Sequence, residues 1–113
     1  MKPFIQDGHI LALRAMRAAL GTTATRLVIE QIETTDWASA TFVGKRHRCD
    51  VRIEGAEDAV ACAVAQLARD LPEVDVATNA YFLADIAVCG FELVAGGAEA
   101  VAEVTVEALT IEA

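Results

Sequence analysis

The chain has few aromatic residues, few prolines and no long apolar run. Its 113 residues include one Trp, one Tyr, four Phe and two Pro. No segment approaches the roughly 20 consecutive apolar residues that cross a bilayer. The amino-terminal segment carries Asp7, Arg14 and Arg17, which interrupt the clean apolar stretch that a secretory signal needs. These absences predict a soluble, cytoplasmic protein with no membrane partner.

Cysteine is also scarce. Cys49, Cys62 and Cys89 are an odd set with no C-x-x-C spacing, which argues against a disulfide framework. Their neighbours are mostly apolar, so we expect three buried, reduced thiols. His9 and His47 do not combine with them into a recognisable metal-binding pattern, and no glycine-rich phosphate-binding motif is present. The sequence therefore predicts neither a metal nor a cofactor.

Cations are few, and they are concentrated in the first half of the chain. Residues 1–53 hold eight Lys or Arg against five acids, a charge of +3, whereas residues 54–113 hold one Arg against twelve acids, a charge of −11. The acidic total of −8 disfavours nucleic acid as a partner, because phosphate neutralisation supplies most of the affinity for it. The asymmetry suggests charge pairing within the chain or between subunits.

Two segments have the apolar spacing of helices, within what we expect to be one domain spanning residues 1–113. The first covers residues 7–20, with Asp7 as the predicted N-terminal cap and Gly21 as the stop. The second follows Gly55 and ends at Pro72. Its apolar stripe consists of Val60, Val64, Leu67 and Leu71.

Five segments are predicted as strands. They read RLVIEQIE (26–33), DWASATFVG (36–44), RHRCDVRIE (46–54), YFLADIAVCGFELV (81–94) and VAEVTVEALTIEA (101–113). Short turns at residues 34–36 and 44–45 make the first three an antiparallel meander. The predicted fold is an α+β two-layer sandwich, in which a five-stranded, mainly antiparallel sheet carries both helices on one face, in the order α-β-β-β-α-β-β. The same order occurs in small ring-forming subunits of phage tails, a similarity of arrangement without a shared motif.

The segment KRHRC (45–49) combines cations, a histidine and a thiol. Strand alternation separates them into two sets. One set faces the core and consists of His47, Cys49, Val51 and Ile53; the other faces outward and consists of Arg46, Arg48, Asp50, Arg52 and Glu54. A core histidine satisfied by a backbone group is therefore a better interpretation than a His47–Cys49 catalytic dyad, because residues two apart on a strand do not meet unaided.

The arginine ladder of Arg46, Arg48 and Arg52 has two possible roles. It can face Glu103 and Glu107 of the last strand, within one chain or across a dimer axis, and so fix register and partner choice. Alternatively, it can bind a small anionic ligand on a concave, uncovered face of the sheet.

Asp85 and Trp37 are further candidates. On strand alternation, Asp85 shares a face with the apolar side chains of Leu83, Ala87, Cys89 and Phe91. A buried carboxylate must find a donor or become neutral, which makes Asp85 a candidate general base, unless it lies at an exposed strand end or pairs with an arginine. Trp37 starts a predicted strand, where tryptophan anchors a partner or fills the core.

Two hypotheses follow. The first is a structural or interaction protein without a catalytic site, which forms a homo-oligomer or binds a small protein partner through its sheet, with a phage-tail-like ring as one setting. An uncovered sheet face with Trp37, Phe42 or the row of Leu83 and Phe91 exposed would favour it. The second is a small enzyme or ligand-binding protein. Its pocket lies between helix and sheet, with Asp85 as base and Arg46 or Arg48 holding an anionic molecule.

Overall fold

The computed structural model describes residues 8–21, 24–78, 80–96 and 99–113. The elements run in the order α1 (Gly8–Leu20), β1 (Thr25–Ala38), β2 (Val43–Gly55), α2 (Glu57–Asp70), a 3-10 turn (Leu71–Glu73), β3 (Tyr81–Gly96) and β4 (Glu99–Glu112). The strands form one antiparallel sheet in the spatial order β1-β2-β4-β3. Both helices pack on the same face, which we term the inner face; the opposite face is the outer face.

The prediction of five strands was wrong, although the α+β class is confirmed. The described residues form four strands, because the turn predicted at residues 34–36 does not occur and β1 continues through it, paired with β2. The β-branched Thr34 and Thr35 suit extended backbone. The chain turns at residues 39–42 instead, where the Ser39 hydroxyl accepts hydrogen bonds from the backbone N–H groups of Thr41 and Phe42.

The two helices lie close to the predicted boundaries. The helix α1 ends at Gly21, whose φ of 59° is in the left-handed region that favours glycine. The Gly21 N–H donates to the Arg17 carbonyl at 3.0 Å. The predicted cap, Asp7, lies outside the described residues. The helix α2 gives way to a 3-10 turn that contains Pro72, as expected for a residue that cannot continue a helix.

The core lies between the helices and the inner face. The alternation predicted for β2 is confirmed, since His47, Cys49, Val51 and Ile53 are fully buried. The facing helices present small side chains: Ala12, Ala15 and Ala63 are also fully buried. Such residues let a helix approach a sheet closely, so this short chain builds a continuous core with few aromatics.

Asp85 does not lie on the inner face, which corrects the prediction from alternation. The register of β3 against β4 shifts between Leu83 and Asp85, leaving Ala84 as the extra residue of a bulge. Because one extra residue reverses the alternation, Ile86 takes the buried inner position and Asp85 is exposed on the outer face, opposite Leu109.

The expectation of three buried thiols was also wrong. Cys49 is buried, but Cys62 and Cys89 are exposed, and all three are free. Cys62 lies on the solvent side of α2, whose buried stripe includes Val60 and Val64. Cys89 is the extra residue of a second bulge in β3. Apolar neighbours in the sequence do not imply burial where a helix turns or a bulge shifts the strand.

The strands are longer than the helices that cover them. The molecule measures 48 × 26 × 22 Å. The strands contain 13 to 16 residues, and at about 3.3 Å per residue they extend about 45 Å or more. The helices contain 13 and 14 residues and extend only about 20 Å. The helices therefore cover part of the inner face, and no described element covers the outer face. No helix in the described ranges is long and apolar enough to cross a membrane.

Candidate functional site

The uncovered outer face carries the predicted arginine ladder. Arg46 and Arg48 are exposed and Arg52 is half-buried. Because β4 lies beside β2, Arg48 is directly opposite Glu107 and Arg52 is directly opposite Glu103. The cations of the first half of the chain thus lie beside acids of the second half, as the charge asymmetry suggested.

Arg52 is held in a network of carboxylates. Its Nη1 atom donates to Oε2 of Glu30 at 2.8 Å, and its Nε atom donates to Oε2 of Glu54 at 2.6 Å. Glu54 also pairs with Arg26, and hydrogen bonds from Arg26 and then Arg52 lower the pKa of Glu54. A hydrogen bond with Glu30, followed by burial and by repulsion from the Glu30 charge, raises the pKa of Glu103. Nε and Nη1 of Arg52 are therefore engaged within the chain.

Arg46 and Arg48 line a shallow cavity of about 170 Å³ together with Glu33, Thr35 and Glu107. Arg48 lies between Glu33 on β1 and Glu107 on β4 in the register of the sheet. The two carboxylates oppose binding of an anion there. Among the residues that the structure describes, Arg46 forms no ion pair. Of the three arginines, Arg46 is thus the one whose charge is available to a partner.

His47 is a core histidine, satisfied by hydroxyl groups and not by the backbone group we expected. Its Nδ1 atom lies 2.9 Å from Oγ1 of Thr34, and its Nε2 atom lies 2.9 Å from Oγ1 of Thr110. The Thr110 hydroxyl also lies 3.4 Å from the Lys45 carbonyl, to which it can donate while its oxygen accepts from an Nε2–H. Burial, with smaller effects of the His9 and Lys45 charges, lowers the pKa of His47 to about 4.

Cys49 is not placed as a nucleophile. Burial, with a smaller effect of the Asp50 charge, raises the pKa of its thiol to about 11. Since the thiolate is the reactive form, a buried thiol of this kind is inert at neutral pH. Within the described part of the chain, no group of three or more His, Cys, Asp or Glu side chains is placed to hold a metal ion.

An apolar row crosses one end of the outer face. Trp37 on β1 is opposite Gly44 on β2, Gly44 is opposite Ile111 on β4, and Ile111 is opposite Phe82 on β3. Trp37 is half-buried, Phe82 is exposed and Ile111 is buried. Trp37 therefore lies on the open face of the sheet, outside the helix-covered core.

Two further apolar patches lie at opposite corners of the sheet. The tip patch consists of Phe42 and Val43, each 53% exposed, at the turn between β1 and β2. The edge patch consists of Phe91, Leu93 and Val94, which are 56%, 52% and 48% exposed, on the edge strand β3. Sequence analysis singled out Phe42 and Phe91 but missed the other three. The signal that could have found Leu93 and Val94 is the length of the predicted strand 81–94, which no helix of the chain can cover.

Comparison with known proteins gives a fold and no family. No family model and no curated protein matches the chain. A chain in the structure of the virion of native gene transfer agent (GTA) particle is similar, with a TM-score of 0.62 and 17% identity over 96% of this chain and 95% of that chain. The type 4 fimbrial biogenesis protein PilO from Pseudomonas aeruginosa has a TM-score of 0.44 and 16% identity over 97% and 73% of the two chains. At this identity the GTA likeness shows the fold alone.

Proposed function

We propose that this chain is a structural subunit that assembles with other protein chains, copies of itself among them, in a phage-tail-like particle. The observation that carries the proposal is the uncovered sheet, with an open outer face and apolar patches at two corners. The similarity to a chain of the GTA virion supports it, because it extends over nearly the full length of both chains.

The physical argument concerns exposed apolar surface. Soluble monomers rarely leave contiguous apolar groups open to water, and an open edge strand with apolar side chains pairs readily with another chain. The edge patch combines both features, since Phe91, Leu93 and Val94 are clustered on β3 and about half of each side chain is exposed. Covering such a patch in an assembly removes the liability that it represents in a monomer.

The enzyme or ligand-binding hypothesis receives less support from the geometry. It required Asp85 and either Arg46 or Arg48 to converge in a pocket between helix and sheet. All three residues lie on the outer face, on the side opposite the helices, and Leu109 of β4 lies between Arg46 and Asp85 in the register. Two strand spacings place their backbones about 10 Å apart. A role for Asp85 as a base, and for Arg46, Arg48, Arg52 and Trp37 in binding a ligand, stays a prediction.

Size-exclusion chromatography with light scattering tests the proposal. We expect the purified chain to form an oligomer at micromolar concentration. Raised salt should shift the protein concentration at which half of the chains are assembled, because salt screens exposed charges. A species of 12.0 kDa, the mass of one chain, at every concentration would contradict self-assembly. A high-mass species without a cooperative unfolding transition in denaturant would instead indicate aggregation of unfolded chains, and it would also count against the proposal.

A further inference from the structure

The tip patch and the edge patch are complementary, and we propose that copies of this chain join head to tail, with the tip patch of one copy bound to the edge patch of the next. The inference rests on the proposed assembly function and deepens it. It names the partner, a second copy of this chain, and the two surfaces that meet.

The tip is ordered before any partner binds. The Ser39 N–H donates to the Phe42 carbonyl at 2.8 Å, and the Ser39 hydroxyl accepts from the Phe42 N–H at 3.1 Å. These bonds fix the turn that presents Phe42 to solvent. A preorganised anchor loses little conformational entropy on binding, which favours its use as a contact.

The edge strand β3 is closed at its start and open at the edge patch. The segment before it covers the first residues of β3: the Thr78 N–H donates to the Tyr81 carbonyl at 2.8 Å, and the Leu83 N–H donates to the Val76 carbonyl at 3.1 Å. Along the rest of β3, the described strands pair with it only on the β4 side. Free backbone groups and apolar side chains therefore occur together near Phe91.

Charge argues against pairing of two identical edges. Residues 81–113, which include β3 and β4, contain six acids and no Lys or Arg. Two copies of β3 side by side would bring like charges together, which is destabilising across strands. The other edge strand, β1, carries Glu30, Glu33 and Asp36, with Arg26 as its one cation. An edge-to-edge contact between β1 and β3 would therefore also bring negative charges together.

The end of β2 next to the tip patch carries a cation that can pair with the acidic edge strand. Lys45 is engaged with Asp36, but Arg46 forms no ion pair within the described residues. On β3, Glu92 lies between Phe91 and Leu93 of the edge patch in the sequence, and it is paired with Glu103 of β4 in the register. A head-to-tail contact brings the unpaired Arg46 of one copy toward the acidic edge that contains Glu92 of the next.

The two faces of the sheet match in this arrangement. On β2, Val43 has the inner-face parity and Arg46 the outer-face parity. On β3, Phe91 and Leu93 pair with inner-face residues of β4, whereas Glu92 pairs with an outer-face residue. If the hairpin tip of one copy abuts the β3 edge of the next with the two sheets in one plane, apolar groups meet on the inner side, and Arg46 meets Glu92 on the outer side.

A contact between two different patches has a consequence for assembly. Such a heterologous contact leaves a free tip and a free edge at the ends of every short chain of copies, so it closes into a ring or extends into a filament. A self-complementary contact would stop at a dimer. A heterologous contact can therefore be tested by mixing a variant that lacks the tip patch with a variant that lacks the edge patch.

The experiment uses two variants of the full chain. A tip variant, F42D with V43T, and an edge variant, F91D with L93T, change exposed side chains, and circular dichroism verifies that both fold. We expect each variant alone to run at 12.0 kDa by light scattering. An equimolar mixture should give a species of twice that mass and nothing larger, because each variant keeps one intact patch. I29T, which changes an exposed apolar residue of β1 outside both patches, should assemble like the parent chain.

A charge exchange tests the Arg46–Glu92 contact. R46E and E92R should each weaken assembly about fivefold, the upper range for an exposed ion pair, and a mixture or double variant carrying both changes should recover the loss. If the unchanged chain assembles but the mixed variants stay monomeric, or if either variant alone still assembles, the head-to-tail contact is wrong while the proposed function stands. If the unchanged chain is monomeric at every concentration, both fall.

Discussion

Nε2 of His47 lies 2.9 Å from Oγ1 of Thr110, and Nδ1 of the same ring lies 2.9 Å from Oγ1 of Thr34. One buried imidazole thus connects β2 to both of its neighbours, β4 and β1. A neutral ring protonated on Nε2 satisfies both contacts, with the Thr34 hydroxyl donating to Nδ1. Protonation of Nδ1 would force the Thr34 hydroxyl to turn and accept, and would place a charge in the core.

The first prediction concerns stability at mildly acidic pH. The folded-state pKa of His47 is about 4, whereas an unfolded chain has the ordinary histidine value of 6.5. Between these values the unfolded state binds more protons, so the free energy of unfolding falls as the pH is lowered from 6.5 to 4. The loss over the whole window is about 3 kcal/mol. Urea unfolding at a series of pH values measures it.

The variant H47Q provides the comparison. Glutamine keeps a donor and an acceptor near the two hydroxyls but does not titrate, so the slope between pH 6.5 and about 4.5 should be largely lost. H9Q removes the other imidazole and should retain most of the slope. Carboxylates with lowered pKa values, such as Asp36 and Glu54, begin to lose their contribution near their ordinary values of 3.8 and 4.5, at the acid end of this window. An unchanged slope in H47Q would show that another group is responsible.

Much of the fold follows from patterns that are local in the sequence. The buried stripe of α2 was predicted from apolar residues that recur about every 3.6 positions, and the buried face of β2 from residues that alternate every 2 positions. Both predictions are confirmed. The merged strand β1 could not be predicted in this way, because residues 34–36 combine β-branched threonines with an aspartate that is common in turns. Pairing with β2 along 13 positions decided between the two.

The candidate site was harder to predict, because it depends on positions that local patterns do not fix. A bulge at Ala84 moved Asp85 from the expected inner face to the outer face. Strand order decided that Arg48 would lie between Glu33 and Glu107, and no single-strand pattern contains that information. The exposure of the edge patch results from the difference in length between strands and helices, which appears only once both layers are assembled.

The second prediction concerns Gly44, which lies between Trp37 and Ile111 in the register. A Cβ atom at this position would lie 2.0 Å from the backbone oxygen of Thr110 and 3.1 Å from Cα of Ile111. Backbone cannot move aside as a flexible side chain can, so we expect G44A to lower the free energy of unfolding by about 2 kcal/mol or more. Thermal and urea unfolding measure the change.

A matched glycine is available as a control. No heavy atom lies within 4 Å of a Cβ built on Gly90, in the middle of β3. G90A should therefore be neutral or slightly stabilising, because alanine restricts the unfolded chain. Equal losses in G44A and G90A would show that the close approach to Thr110 is not the cause.

The third prediction concerns the contact between the helices. Nε2 of Gln66 on α2 donates to the carbonyls of Ala19 and Leu20 at 2.9 and 3.1 Å. The last carbonyls of a helix have no partner within it, so Gln66 satisfies groups that are otherwise left without one. Q66M keeps the side-chain length but removes the donor, and it should cost about 1–2 kcal/mol of stability. Q31M, at an exposed position of β1, should change stability by less than about 0.5 kcal/mol.

The fourth prediction concerns the thiols, whose burial differs although their sequence surroundings are similar. Cys62 is exposed on α2 and should react first with a thiol reagent such as Ellman's reagent at neutral pH. Cys89 is exposed as well, but burial of its sulfur, followed by a hydrogen bond with Glu107, raises the pKa of its thiol, so it should react more slowly. Cys49 should react only after unfolding.

Single substitutions assign the kinetic phases of that reaction. In the native protein we expect two thiols to react in two phases, and in denaturant three thiols to react in one phase. C62S should remove the fast phase and C89S the slow one, each without loss of stability, because neither side chain belongs to the core. C49S should leave both native phases unchanged but should destabilise the fold, since it places a hydroxyl among the apolar side chains around Val51 and Val106. If Cys49 reacted in the native protein as fast as Cys62, the thiol of Cys49 would be accessible to the reagent. That result would contradict its burial between the helices and the sheet.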